Sequence, residues 1–276
     1  MISKNLAKLF LNESLKTGAD FAELYCEKTI TKGFLYENGQ VEYTTNNSTC
    51  GVGLRLIKDK QSVYGYTNEL NKTALLKLAN NLSAAFNEPR IKQVNEFQTK
   101  KVKKISKIVN SYFDSPIEEK IEIANLAHTT MKNYSSLIKR TIVSIAGTRK
   151  EVELFNSNGL HFKDDKERER IAFEAFAIKD DKNEMSFEGP GASDGMDFIR
   201  SLDIKKIATE VADDAVKSLE AKECPSGKMT VIIGNGFGGV LFHEACGHSL
   251  EASSVSKNLS VFSNRLGQQI ASPLLT

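Results

Sequence analysis

Apolar residues at helical spacing open and close the first part of the chain. Residues 6–15 and residues 67–86 each place apolar side chains three and four positions apart, which predicts an amphipathic helix in each. Between them, residues 21–66 change to short aliphatic and aromatic runs, which predict strands. Asn38 and Gly39 form the strongest hairpin signal among those strands. This pattern predicts a first unit with the order helix, several strands, helix.

The same order returns further along the chain. Ser115, Pro116 and Glu118 have the spacing of a capping box with proline at the first helical position, which predicts a helix start. Strand-like runs fill residues 138–187, and residues 203–221 form a long amphipathic pattern. Next, residues 229–233 predict a short buried strand.

These patterns predict an α+β protein with two α+β domains, followed by the start of a third domain. The predicted boundaries are an N-terminal domain at 1–88, a basic linker at 89–114, a middle domain at 115–225 and a C-terminal domain at 226–276. The linker is rich in lysine and is expected to be an exposed connection with few strong elements.

Composition narrows the class of protein. The 276 residues are 40% hydrophobic and 26% charged, which excludes a wholly disordered chain, and a net charge of +2 does not favour a polybasic nucleic-acid binder. The basic run at 100–107 is therefore interpreted as solvated linker. No apolar run approaches the roughly 20 residues that span a bilayer, and charges interrupt the N-terminus, so we expect a cytoplasmic protein without a membrane segment.

Cysteine and histidine positions give weaker signals. Four cysteines lack the CxxC spacing of a metal or redox motif and are expected to be thiols. Cys26 and Cys50 are expected inside strands as small hydrophobic residues. His128 lies on the apolar face of a predicted helix and is expected to pack there, whereas His161 is expected at the surface.

A glycine-rich segment follows the predicted strand at 229–233. Gly234, Gly236 and Gly239 fit the GxGxxG pattern of dinucleotide-binding proteins. That pattern requires a βαβ unit and an acidic residue about 20 positions onward. The sequence provides neither, so we interpret these glycines as positions where the backbone passes close to another segment or to a substrate.

The strongest chemical signal is His243-Glu244 followed by His248. Two imidazoles and a neighbouring carboxylate are the groups of a hydrolytic zinc site, but zinc-binding histidines on an α-helix are usually four residues apart. Five residues at roughly 100° each would turn the rings about 140° apart. A π-bulge would bring positions i and i+5 back to one face, and Gly247 is where it would cost least. The spacing therefore predicts a bulged helix on which the two histidines converge.

The segment FHEACGHSLEA at 242–252 resembles the TldD/PmbA family of metalloproteases, on the side that carries the HExxxH motif. Other stretches are similar to the same family, and together they cover essentially the whole chain: residues 21–25, 51–55, 156–159 and 267–273.

The resemblance implies a zinc-dependent peptidase that hydrolyses peptide bonds in unfolded peptides or peptide precursors. It implies Zn²⁺ ligation by His243 and His248, water activated by zinc and Glu244, and a homodimer or a heterodimer with a PmbA-like subunit. The family's third ligand is a cysteine far downstream, and this sequence stops at Thr276, so we expect either a C-terminally truncated chain or the product of a split gene. Cys246 is interpreted as a packing residue, while Cys224 and Glu251 stay open as ligands.

Two hypotheses for the function of the chain follow. The chain is an active metallopeptidase, or it is a catalytically incomplete subunit that contributes dimer and substrate-groove contacts because the third zinc ligand is absent. Glu251 has two further interpretations, as a partner that orients an imidazole or as a plain surface charge. Nucleic-acid binding through the basic linker ranks last.

Overall fold

The computed structural model describes residues 1–88, 92–104 and 107–274, and the chain divides into two compact units, Met1–Ala221 and Lys222–Thr276. The first unit is a mixed structure of helices and strands, in agreement with the predicted α+β class. Its helices are α1 (Lys4–Ser14), α2 (Lys72–Ser83), α3 (Ile117–Tyr134), α4 (Met196–Ser201) and α5 (Ile204–Ser218). Its strands are β1 (Phe21–Glu37), β2 (Gln40–Lys58), β3 (Gln61–Thr67), β4 (Gln98–Lys101), β5 (Ile138–Asn156), β6 (Leu160–Lys179), β7 (Lys182–Glu188) and β8 (Gly191–Ala192).

One sheet passes through the whole first unit in the order β3-β2-β1-β5-β6-β4, with β7 and β8 also paired to β6. The pairs are antiparallel except for β4 with β6, which is parallel. At the centre, β1 pairs with β5 from Glu23↔Asn156 to Glu37↔Ile142. The predicted N-terminal and middle domains therefore share one sheet, while the predicted boundaries stay predictions.

The two halves of this sheet repeat one order of elements. Each half has a helix, two long strands joined by a tight turn, a strand of seven residues and another helix: α1-β1-β2-β3-α2 in the first and α3-β5-β6-β7-α5, with β8 and α4 before α5, in the second. The turns correspond, because Gly39 and Gly159 have φ of 93° and 88°, and Asp59 and Asp180 have φ of 53° and 52°. The central β1–β5 pair lies between the two halves.

Two hydrophobic cores lie on the same face of the sheet. Leu24 of β1 belongs to the core under α1 and α2, and Phe34 of the same strand belongs to the core under α3 and α5. Both residues have even numbers on a continuous strand, so their side chains point to the same side. The opposite face of β1 carries Glu23, Tyr25 and Glu27, which are only partly buried.

The strands are longer than the sequence predicts. Separate runs at 21–27 and 33–36 merge into β1, and runs at 141–145 and 151–155 merge into β5. Most of the intervening residues are polar, and they remain extended because backbone pairing between neighbouring strands continues through them. The local hydrophobic pattern reveals the buried ends of such strands but not the more polar residues between those ends.

The predicted capping box is wrong. Helix α3 begins at Ile117 with Pro116 as its N-cap residue, and no side chain caps it. The Ser115 hydroxyl donates to the Ser111 carbonyl oxygen at 2.9 Å and accepts no hydrogen bond from the first turn of the helix. The buried Lys120 ammonium donates to the carbonyl oxygens of Tyr112 and Ser115 instead and holds the preceding loop against the helix.

The predicted linker contains regular structure. Residues 98–101 form β4, which pairs with β6 between Gln98↔Leu160 and Lys101↔Lys163. The edge of β6 offers unpaired backbone groups there, and they bind the linker despite its lysine-rich side chains. Residues 89–91 and 105–106 of the predicted linker lie outside the described residues.

The expectation that His161 lies at the surface is also wrong. Its side chain is 3% exposed, its Nε2 atom lies 3.0 Å from Glu153 Oε1, and its Nδ1 atom lies 2.8 Å from Thr99 Oγ1. The ring stacks on Phe155 with centroids 4.5 Å apart. His128 is partly buried, as expected of a packing residue, and its Nδ1 atom lies 2.6 Å from Thr141 Oγ1. Cys26 is buried and Cys50 half-buried, both within strands.

The regular structure of the second unit consists of short helical turns that begin at Gly236. The predicted buried strand at 229–233 is not formed: the segment has no assigned secondary structure, and Ile232 is 98% exposed. An apolar run becomes a strand only when another strand pairs with it, and none does so among the described residues. Within the described residues, no helix combines the length and the apolar character needed to cross a membrane.

Candidate metal centre

The glycine-rich segment leads into a continuous set of helical turns. A 3₁₀ turn at Gly236–Gly238 is followed by α6 (Gly239–Phe242), a π-helical turn at His243–Gly247 and a second 3₁₀ turn at His248–Leu250. A π-helical turn pairs residues five apart, which is the spacing of the two histidines. The predicted bulge is therefore confirmed, and it begins at the first histidine.

The π turn brings the two imidazoles together. The ring centroids of His243 and His248 lie 4.5 Å apart at an interplanar angle of 65°. One nitrogen of each ring and one carboxylate oxygen of Glu244 all lie within 4.8 Å of one another. Glu244 Oε2 is 3.7 Å from His248 Nε2. Three potential metal donors thus face one point, and all three side chains are exposed.

Glu251 fixes the orientation of the second histidine. Its Oε1 atom lies 2.7 Å from His248 Nδ1, so a proton on Nδ1 would be donated to the carboxylate. That tautomer leaves the lone pair of Nε2 free toward Glu244 and His243. The hydrogen bond to Glu251, with the charges of Glu244 and Glu251, also raises the pKa of His248. Of the alternatives for Glu251, its contact with His248 favours the orienting partner.

The cysteines do not join this group. Within the described residues, the donors close enough to hold an ion together are His243, Glu244 and His248. Cys246 lies between the histidines and is half-buried, and Cys224 is exposed. Gly247 has an ordinary helical φ of −57°, and a Cβ atom there would lie 3.4 Å from His243 Nδ1, an ordinary contact. The bulge therefore does not depend on glycine at this position.

The chemistry of the donor set fits a zinc ion. Zinc in hydrolytic sites is bound by imidazole and carboxylate groups, and one imidazole commonly donates its second N–H to an acidic side chain. His243 and His248 supply the imidazoles, Glu244 places a carboxylate beside them, and Glu251 supplies the acidic partner. Imidazole donors also suit other divalent transition metals.

The glycines before the site do not form a dinucleotide-binding loop. Among the described residues, no strand leads directly into Gly234 and no βαβ unit surrounds it. A Cβ atom at Gly234, Gly236 or Gly239 would meet nothing within 4 Å. These glycines are expected to allow a close approach to another segment. No such contact is present in the described part of the chain.

Three parts of the chain match the three domains of one protein family. Residues 22–86 match the PmbA/TldA metallopeptidase domain 1, residues 110–219 match the central domain, and residues 226–276 match the C-terminal domain of the same family. The π turn and its histidines lie in the last of these segments.

Curated relatives agree with this family. The chain is 26% identical over 267 residues to a metalloprotease TldD homolog of Haemophilus influenzae, covering 93% of this chain and 55% of that protein. It is 27% identical to a metalloprotease of Methanocaldococcus jannaschii, covering 99% of this chain and 60% of that protein. The chain thus spans little more than half the length of these relatives.

Solved structures share the fold. A protein of Bacteroides thetaiotaomicron, provisionally described as a modulator of DNA gyrase, superposes with a TM-score of 0.76 at 18% identity, covering 99% of this chain and 63% of that one. TldE from Thermococcus kodakarensis gives 0.64 at 15% identity, covering 98% and 59%. Together with the three matching domains and the relatives named as metalloproteases, these likenesses show that the chain belongs to the TldD/PmbA family of metallopeptidases.

Proposed function

We propose that the chain carries the metal-binding helix of a zinc-dependent peptidase that hydrolyses peptide bonds in unfolded peptides or peptide precursors. The observation that carries this proposal is the π turn, which gathers His243, Glu244 and His248 within 4.8 Å of one another in a member of a metallopeptidase family.

The residues of the site take separate roles in the proposal. His243 and His248 would hold zinc through ring nitrogens, and Glu251 would keep His248 in the tautomer that leaves Nε2 free. When bound, zinc supplies a Lewis acid that makes water more acidic and polarises the carbonyl of the scissile bond. Glu244 is the base: its carboxylate accepts a proton from the attacking water and then donates it to the nitrogen of the leaving amine.

The first experiment measures zinc content and peptide cleavage in the full-length gene product. Replacing His243 with alanine (H243A) removes a ligand and is expected to abolish stoichiometric zinc, measured by mass spectrometry after dialysis. Replacing Glu244 with glutamine (E244Q) is expected to retain zinc and lower kcat by about 100-fold or more, because general acid–base catalysis contributes about that much. Cleavage of an unstructured reporter peptide gives kcat.

The matched control is Cys246→Ser, which lies between the two histidines and outside the donor group. It is expected to keep both zinc and cleavage. Unchanged zinc in H243A would overturn the site, and unchanged cleavage in E244Q would remove Glu244 from the mechanism. Zinc binding with no cleavage in any assay would favour the incomplete subunit that supplies only dimer and groove contacts.

The pH dependence provides a second check on the same residues. Protons compete with metal for imidazole nitrogens, and Glu251 raises the pKa of His248. Zinc affinity is therefore expected to begin to fall at a pH above about 6.5, the ordinary pKa of histidine. In Glu251→Gln the fall should begin at a lower pH, because the neutral amide no longer favours the imidazolium. Titration with zinc by calorimetry between pH 5.5 and 8 measures both.

We also propose that the active form is a homodimer or a heterodimer with a PmbA-like subunit, in the cytoplasm. Support comes from the family and from the shared fold with TldE. The cysteines are all unpaired, which is usual for proteins of a reducing compartment. Light scattering of the purified gene product, alone and mixed with a PmbA-like protein from the same source, measures the assembly.

A further inference from the structure

A large cavity lies along one edge of the sheet in the first unit. Its volume is about 1070 Å³, which is at the upper end of the range for small-molecule sites. Consecutive residues 163–168 of β6 line it, and successive residues of a strand point to opposite faces, so the cavity lies at the edge of that strand. Residues 102–104 and 107–109, which follow β4, also line it. We call the space between these segments the edge cavity.

The backbone of β6 has an open edge where it meets this cavity. β4 pairs with β6 before residues 164–168, and β8 pairs with it after them. Residues 164–168 therefore have β5 on one side and no strand on the other within the described residues. The Ile171 N–H donates to the Pro190 carbonyl oxygen across this edge at 3.1 Å. Because the direction alternates along a strand, the N–H groups of Asp165 and Glu167 point to the same edge, and such groups bind anions.

The side chains of the edge cavity carry an excess of positive charge. Of its described lining residues, seven are lysine or arginine and five are aspartate or glutamate. Four of the five carboxylates already have a lysine or arginine partner that also lines the cavity, at N–O distances of 2.7, 2.9, 3.1 and 3.4 Å. Lys103, Lys107 and Arg168 have no acidic partner in the described part of the chain, and Glu151 has no basic one. Unpaired cations therefore outnumber unpaired carboxylates, which favours an anionic ligand.

Apolar side chains line the edge cavity beside these cations. Val102 and Val109 are 43% and 81% exposed, and Ile108 and Val152 also line the cavity. At these exposures the two valines contribute little to the hydrophobic cores, so contact with a flat apolar ring would remove surface of both partners from water. Small-molecule sites combine such apolar walls with a few charged or polar groups that fix the orientation of the ligand. The ligand that fits both parts of the cavity is an aromatic ring joined to an anion.

We propose that the edge cavity binds a nucleoside diphosphate or triphosphate. The phosphate groups contact Lys103, Lys107 and Arg168 and accept hydrogen bonds from the open edge of β6, while the base packs against Val102 and Val109. Inorganic phosphate is a poorer occupant, because it would use the cations and leave the apolar side chains and most of the volume empty. The lining residues all belong to the first unit, so this inference does not depend on the proposed peptidase.

The test measures nucleotide binding apart from any metal. The full-length gene product carries His243→Ala, so that phosphate groups cannot bind to zinc at the histidines. Equilibrium dialysis then compares ADP, ATP, pyrophosphate and adenosine. ADP and ATP are expected to bind about tenfold more tightly than pyrophosphate, because the base adds apolar contact. Adenosine is expected to bind at least about tenfold more weakly than ADP, because it lacks the phosphates that the cations contact. Binding of ADP should also weaken as salt is added.

Substitutions then locate the site. Lys103→Gln with Lys107→Gln is expected to weaken ADP binding about tenfold or more, because two charge-assisted contacts are lost. Lys72→Gln with Lys77→Gln is the matched control, since it removes the same charge from exposed positions of α2 outside the cavity, and it should leave ADP binding unchanged. Glu151→Gln removes the unpaired carboxylate and is expected to tighten ADP binding about threefold, a gain that a misfolded variant would not show. Circular dichroism confirms that the variants are folded.

The outcomes decide between the possible occupants. Binding of ADP that is lost in the cavity variant and kept in the α2 variant supports the inference, whether or not the unmodified protein cleaves peptides. Absence of ADP and ATP binding, or equal loss in both double variants, overturns it. Pyrophosphate that binds as tightly as ADP would identify an inorganic anion as the occupant and also overturn it. The same holds for a single-stranded oligonucleotide that displaces ADP and binds more tightly, which would identify nucleic acid.

Discussion

At the scale of single residues, the most strongly perturbed carboxylate of the first unit is Glu153. It is 3% exposed, and it accepts contacts from the Met1 ammonium at 2.8 Å, His161 Nε2 at 3.0 Å and Lys163 Nζ at 3.1 Å. Burial would raise its pKa, but these donors outweigh burial and lower the pKa to about 2. The negative charge of Glu153 therefore stabilises the folded state.

This shift predicts a pH-dependent stability. A carboxyl group with a lowered folded-state pKa contributes stability above its unfolded pKa of about 4.3, and the contribution is lost as the pH falls toward 2. The full effect is about 3 kcal/mol in the free energy of unfolding. Glu153→Gln removes the charge, so the gap between wild type and variant should shrink as the pH drops from 5 to 3, measured by urea unfolding.

The exposed Glu151, on the same strand, is the control for that measurement. Glu151→Gln is expected to track the wild type at every pH. A gap between wild type and Glu153→Gln that stays constant from pH 7 to pH 3 would show that lost packing, and not lost charge, destabilises the variant.

Single residues also show what the sequence can reveal of the site. The spacing of His243, Glu244 and His248 predicts their convergence, because the two histidines are close in sequence and one local turn decides their geometry. The partners of His161 could not be predicted in this way. Glu153 and Thr99 reach it from two other strands, and only the tertiary fold brings them together.

At the scale of elements, the π turn predicts how zinc binding depends on the number of residues between the two histidines. Deleting Ala245 leaves the histidines four residues apart, a spacing that an ordinary α-helix places on one face, so the variant should bind zinc within about tenfold of the wild type. Inserting one alanine after Ala245 sets them six apart, where neither helix type aligns the rings, and zinc binding should be lost. Calorimetric titration with zinc measures both.

Substitution at Gly247 controls for the turn itself. Gly247→Ala is expected to bind zinc as the wild type does, since its backbone is helical and a Cβ atom there meets only an ordinary contact. Loss of zinc in the Ala245 deletion but not in Gly247→Ala would mean that the π geometry is required and that an α-helix cannot replace it.

At the scale of the whole molecule, the shared sheet predicts cooperative unfolding of the first unit. β1 and β5 each contribute side chains to both cores, for example Leu24 and Phe34 from β1. Leu24→Ala in one core and Phe173→Ala in the other should each cost about 3 kcal/mol, because both side chains are fully buried. Hydrogen exchange should show the amides of both cores losing protection together in either variant.

Separate unfolding of the two cores would contradict this prediction. In that case Leu24→Ala would speed exchange only around α1 and α2, and Phe173→Ala only around α3 and α5. Cys50→Ala serves as a control, since Cys50 is half-buried on β2 and belongs to neither core.

The sequence predicts some elements of this molecule but not how its distant strands pair. Helices α1, α2, α3 and α5 and the buried ends of the strands follow from local periodicity. The pairing of β1 with β5 does not, because residues such as Glu23 and Asn156 are far apart along the chain and no local pattern records their contact. For the same reason the sequence predicts two domains and shows nothing of the sheet that joins them.

The repeated order of elements on either side of the β1–β5 pair has an evolutionary consequence. Duplication and fusion of a gene for one α-β-β-β-α segment would leave this arrangement, with the interface of an ancestral homodimer now enclosed within one chain. After fusion, the halves are free to diverge. Counted from the matching turns at Asp59 and Asp180, Gly51 and Gly53 of β2 correspond to Ala172 and Glu174 of β6.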